Sequence, residues 1–162
     1  MRAVLRWPDA RLRTAAADVA AIDDGVRAVW DEMIAVMEAM PGVGLAAVQI
    51  GVMRRLAVVD AGEARGQAVR MANPEVLHAS VELRGHEEAS PCLPGVSAMV
   101  QRPHAVTVRF LGEDGVEERD FVGLWAVSVQ HQIDHLAGGM FFDRLGRVKR
   151  EMLLRKAAKL RR

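Results

Sequence analysis

Gln130-His131-Gln132-Ile133-Asp134-His135-Leu136 sets two histidines four residues apart. On a helix that spacing stacks both imidazoles on one face, one turn apart. Two such rings can hold a single transition metal, as in the helix motif H-E-x-x-H of zinc hydrolases. That motif places a general-base glutamate directly after the first histidine, where this chain has Gln132. The same pair also fits a plain helix surface, so a third ligand elsewhere in the chain decides between the two readings.

Working outward, Gly123 opens and Gly138-Gly139 closes a helix over residues 124–137 that carries the pair. Before it, residues 105–111 and 116–122 flank Gly112-Glu113-Asp114-Gly115, a hairpin turn signal. Further strands are expected over residues 56–60, 69–71 and, after Asn73-Pro74, 75–83, with Val76 and Leu77 the clearest apolar positions. Asp23 or Asp24 caps a long helix reaching Met40. Val26, Val29, Trp30, Met33 and Met37 recur there at three- and four-residue steps and mark a buried face, which Pro41-Gly42 ends. Asp9, after Pro8, caps a short helical segment. Helices and strands in this order predict one α+β domain over residues 1–162.

Composition narrows the function classes. About half of the 162 residues are apolar and the net charge is +1, so the chain as a whole is no polyanion binder. A lone cysteine, Cys92, excludes an internal disulfide and suits a reducing compartment. The first residues are too charged for a secretory signal, and no apolar run reaches membrane-spanning length. A cytoplasmic protein without membrane partners is expected. Gly42-Val43-Gly44-Leu45-Ala46-Ala47-Val48-Gln49 allows close backbone approach. It sets one polar side chain, Gln49, among apolar neighbours, where its amide either donates to a developing oxyanion or caps backbone groups. The stretch lacks both the Walker lysine and the Rossmann glycine spacing, which excludes a phosphate loop.

These pieces, with Pro8-Asp9-x-Arg11-Leu12-Arg13 and a Glu-rich segment holding a cysteine near residue 90, resemble the motifs of peptide deformylases in order and separation. The resemblance implies small β-sheets packed around a central helix carrying the H-x-x-x-H metal pair, plus a C-terminal helix. It implies a divalent metal, commonly Fe2+ with Zn2+ or Ni2+ as alternatives, and removal of the formyl group from N-formylmethionyl peptides. Carried over residue by residue, His131 and His135 would ligate the metal, Gln49 would hold the oxyanion, and Gly44 with Leu45 would flank the substrate backbone.

The second motif departs from the family pattern Glu-Gly-Cys-Leu-Ser. This chain reads Glu88-Ala89-Ser90-Pro91-Cys92-Leu93-Pro94, with Arg102 downstream. Aligned without gaps on Glu88, Pro94 and Arg102, the third ligand is Ser90, a neutral hydroxyl and a poor ligand. It is followed by Pro91, which lacks the N–H that would serve the oxyanion. Aligned on Cys-Leu, the ligand is Cys92, at the cost of a two-residue shift on both sides. The ungapped register suits the backbone path, whereas Cys92 is the better donor or else a small buried apolar residue. Gln132, which the resemblance puts at the proton-carrying position, cannot move a proton at neutral pH. Ser97 stands where the family commonly has a substrate-contacting arginine. A deformylase fold with severely reduced activity is expected. The alternative is a non-catalytic homologue binding N-terminal peptides or the ribosome.

Asp134 is expected to orient a ligand or pair with a cation. His78, His86 and His104 lack ligand spacing. The tail, residues 147–162, reads as an amphipathic helix with Leu153, Ala157 and Leu160 on one side and eight Lys/Arg against one Glu. That charge run is either a solvated face or a contact to ribosomal RNA.

Overall fold

A computed structural model describes residues 1–161. Asp9 accepts the Arg11 backbone N–H and starts a single 3-10 turn, Ala10–Arg13. Helix α1, Asp24–Ala39, begins where the Asp23 carboxylate accepts the Val26 N–H at 2.8 Å. Its Val26, Trp30, Met33, Val36 and Met37 are buried, as the three/four spacing predicts. The Gly42–Gln49 stretch forms strand β1, Gly44–Ala46, and runs into a 3-10 turn, Ala47–Ile50.

Strands β2 (Leu56–Val59), β3 (Val69–Ala79), β6 (Ala105–Gly112) and β7 (Gly115–Val122) join β1 in an antiparallel sheet of order β1-β2-β3-β6-β7. The two segments expected at 69–71 and 75–83 form one strand. Asn73 sits at φ 50 and absorbs the irregularity, and its side chain exchanges two 2.8 Å hydrogen bonds with Val19. That strand ends at Ala79, and Val76 and Leu77 are exposed at its end. β4 (Leu83–Ser90) and β5 (Leu93–Pro103) form a separate two-stranded ribbon.

Helix α2, Gly123–Leu136, lies between the larger sheet and the ribbon, and Gly138 at φ 86 lets the chain turn away after it. One apolar cluster joins α1 to β1 and β2, and another joins Val106, Val108, Phe110 and Phe121 of the sheet to Ala126 and Val129 of α2. Helix α3, Arg147–Leu160, buries Leu153 and Ala157 beside Leu93 and Val96 of β5. Leu160, expected on the buried side, is 57% exposed, although its side chain still lies over Gly95 of β5. No helix among the described residues is long and apolar enough to cross a membrane.

Candidate active site

The site lies in a cleft of about 390 Å3 between the end of α1 with β1, the end of β4, and α2. Helical spacing turns His131 and His135 toward each other, with their Nε2 atoms 3.1 Å apart. His131 is 8% exposed and His135 is fully buried. Glu88, at the inner end of β4, accepts His131 Nδ1–H at 2.9 Å. A carboxylate can only accept, so this contact places a proton on Nδ1 and turns Nε2 toward His135.

Arg102 of β5 holds Glu88 by two bonds, Nε at 2.6 Å and Nη2 at 2.9 Å, with both side chains buried. Its Nη1 reaches Asp134 at 3.0 Å, and Arg144 closes on the same Asp134 carboxylate with bonds of 2.8 and 3.0 Å. Burial alone would raise the Glu88 carboxyl, but the hydrogen bonds from His131 and Arg102 outweigh it and hold the group below its ordinary value. Burial, then the charges of His131 and Arg102, keep His135 neutral well below the usual histidine range. The expected cation partner of Asp134 is thus a pair of arginines. The Arg144 contribution was not readable from local spacing, because this residue reaches back across the turn that follows α2.

In the ribbon Glu88 pairs with Ala98 and Ser90 with Leu93, and Glu88 meets Arg102. Ser90 is buried and lines the cleft with Pro91, His131 and Gln132. Cys92 instead joins the apolar cluster of Leu12, Leu93 and Phe142, and its backbone N–H donates to Ser90 Oγ at 3.3 Å. Burial pushes its thiol up, away from the thiolate form. Among the described residues no three His, Cys, Asp or Glu side chains gather as a metal-holding group. The structure therefore brings the two histidines together and leaves Cys92 outside their group.

Gln49 is buried, with Oε1 accepting the Ala46 N–H at 2.9 Å and Nε2 directed at Cys92 Sγ at 3.5 Å. Gly44 lies directly against α2: a Cβ there would stand 2.5 Å from Ser128 Oγ and 2.6 Å from Gln132 Nε2. Leu45, the other residue expected at the substrate backbone, points into the core and is fully buried. Gln132 is 5% exposed and lines the cleft, and its Oε1 has no hydrogen-bond partner. His135 Nδ1 likewise has none.

The imidazole pair fits a divalent metal, since two nitrogens in a tetrahedral shell with bonds of about 2.0–2.1 Å lie roughly 3.3 Å apart. The third position does not fit. Ser90 lines the same cleft, and its hydroxyl at neutral pH would bring neither the charge nor the softness of a thiolate.

The polypeptide deformylase family model matches residues 1–151. A peptide deformylase of Methylocella silvestris is 42% identical over 169 residues, covering 99% of this chain and 86% of that protein. A peptide deformylase-like protein of Brucella melitensis is 37% identical over 163 residues, covering 100% and 99%. Among solved structures, a peptide deformylase from Legionella pneumophila superposes with a TM-score of 0.92 at 36% identity, covering 99% of this chain and 95% of that one. The Ehrlichia chaffeensis enzyme in complex with actinonin gives 0.92 at 30% identity, covering 100% and 98%. The chain belongs to the peptide deformylase family, a family of metal-dependent hydrolases acting on nascent peptides.

Proposed function

We propose that this chain is a peptide deformylase-family protein whose hydrolysis of N-formylmethionyl peptides is severely reduced. The observation that carries this reading is Gln132, buried on the cleft floor beside the histidine pair. In the family a metal supplies an acidified water, and a carboxylate at this position moves its proton to the leaving amine. An amide hydrogen-bonds but does not carry that proton, and losing a general base costs about 10²–10⁴-fold. Two further changes act in the same direction. Ser90 replaces a thiolate ligand, and Pro91 offers no backbone N–H to an oxyanion.

His131 and His135 remain the residues that would hold Fe2+, Zn2+ or Ni2+, and Gly44, but not the buried Leu45, would still flank a peptide backbone. Gln49 would serve an oxyanion only after releasing Cys92. The same cleft retains an apolar side, with Met40, Pro41, Val43, Leu124 and Val127, suited to a methionine side chain. N-terminal peptide binding therefore outlasts turnover in this reading, in a cytoplasmic setting. Hydrolysis of formyl-Met-Ala-Ser by protein loaded with iron or nickel tests it. Turnover at least about 100-fold below an ordinary family member is expected, and comparable turnover overturns the reading.

A ribosome contact through α3 is favoured by one specific observation. Leu153 and Ala157 are committed to the core, while Arg147, Lys149, Arg155, Lys156 and Lys159 face outward. Clustered cations on phosphates give a steep salt dependence. Exchanging Lys149, Arg155 and Lys156 for glutamine should flatten the salt dependence of ribosome binding without disturbing the buried side. Unchanged binding rules the contact out.

A further inference from the structure

The edge of the cleft nearest α1 is the run Gly42-Val43-Gly44, and its backbone groups are held by several elements at once. Gly42 N–H donates to Met37 O, near the end of α1, at 2.8 Å. Val43 O accepts the Asp60 N–H, just past β2, at 3.0 Å and the Ser128 hydroxyl of α2 at 2.9 Å. Gly44 pairs with Val59 in the sheet. The Gly42 carbonyl is left for Arg65, whose Nη2 donates to it at 2.9 Å.

Arg65 belongs to the loop between β2 and β3. Its Nη1 donates to the Asp60 carbonyl at 2.8 Å, so one guanidinium bridges the end of β2 and the cleft edge. A planar fork suits this task, because its two terminal nitrogens meet two acceptors at once. The loop is shaped to deliver it. Asp60 is fully buried, and its Oδ2 accepts the Gly66 and Gln67 N–H groups at 3.1 Å each. Gly66 at φ 90 makes the turn that brings both amides to one oxygen. Among the described residues Arg65 forms no ion pair, and its side chain is spent on two main-chain carbonyls instead.

We propose that Arg65, which does not itself line the cleft, is a positioning residue: through the Gly42 carbonyl it fixes the edge against which a peptide backbone lies. The inference rests on the reading that this cleft still binds N-terminal peptides along Gly44. Gly42 and Gly44 have no side chains to restrain their backbone, so an edge released on one side gains conformations. Those conformations must be given up when a peptide docks, and affinity falls accordingly.

Hydrogen exchange and calorimetry on the full chain test it together. Arg65→Ala should speed exchange of the Gly42 and Asp60 amides, both hydrogen-bonded at this edge, about tenfold or more, while amides inside α2 hold. Formyl-Met-Ala-Ser should then bind about five- to tenfold more weakly, with the urea midpoint little changed because Arg65 is exposed. Arg65→Lys keeps the cation but has a single nitrogen for two carbonyls, so it should bind the peptide about as weakly as Arg65→Ala. Parental affinity in the Lys variant would show the charge at work rather than the bridge, and overturns the proposal. Unchanged exchange at Gly42 and Asp60 overturns it too, as does faster exchange with unchanged affinity. Those three outcomes leave the peptide-binding reading standing, whereas a parent chain that binds no peptide sinks that reading and the proposal with it.

Discussion

Glu88 and Ser90 lie two residues apart on β4 and face the same helix, yet they belong to clusters of opposite character. Around Glu88 every carboxylate oxygen is used: both of its own accept from Arg102, one also from His131, and both oxygens of Asp134 accept from Arg102 or Arg144. Ser90 shares the cleft with Gln132, whose Oε1 is buried and unpartnered, and His135 Nδ1 beneath it also lacks a partner. The closed cluster ties the ribbon to α2 and holds the fold, while the open one faces the ligand. The proposed loss of hydrolysis lies in the open cluster, while the ion pairs beside it are complete.

The largest test of this contrast is chemical. Restoring the open cluster with Ser90→Cys, Pro91→Leu and Gln132→Glu together should raise formyl-Met-Ala-Ser hydrolysis at least about 100-fold over the parent chain. Failure of the triple variant, folded and metal-loaded, would show that the loss lies elsewhere. Within it, Ser90→Cys alone should raise the metal retained through desalting, read by elemental analysis, because a thiolate then completes the set.

The closed cluster predicts a stability effect instead. Arg102→Met leaves Glu88 buried without its guanidinium and should cost about 3–5 kcal/mol in urea unfolding. Ser90→Ala, losing one long hydrogen bond, should cost about 1 kcal/mol or less. Equal costs would erase the distinction between the two clusters.

The smallest effect concerns Asp143, far from the cleft floor. Burial would raise its carboxyl, but the Arg13 hydrogen bond outweighs this and holds it below the ordinary value. A depressed carboxyl stabilises above the unfolded pKa, near 4, and the contribution is lost as pH falls through the folded value. Because the pair is partly exposed, it is worth no more than about 1 kcal/mol. Asp143→Asn keeps an oxygen for the Met140 N–H while abolishing this acid-limb slope, which unfolding curves at pH 3 and 6 would reveal.

Much of the frame was legible in the residues themselves. The Asp23 cap, the three/four spacing of α1, the Gly112–Gly115 turn and the glycines bounding α2 each encode local geometry, and each element formed where that geometry placed it. The β4–β5 ribbon was not legible, because Leu83-Arg84-Gly85-His86-Glu87-Glu88 is polar and exposed along much of its length and shows no two-residue alternation. Val76 and Leu77 misled for the converse reason: apolar residues at a strand end carry no information on whether anything covers them. Within the site, the histidine pair followed from helical spacing alone. Which of Ser90 and Cys92 lines the cleft depends on the cross-strand partners β4 finds, a long-range matter that adjacent residues do not reveal.

The absence of a side chain at Gly44 has an evolutionary consequence. It leaves α2 pressed against β1 with a slot that takes a five-carbon acid or its amide equally well, since the two differ by one atom type and not by shape. The berth for the missing proton carrier has therefore not been filled in by bulk or collapse. On the proposed reading of impaired hydrolysis, the change at position 132 is reversible without any neighbour having to move.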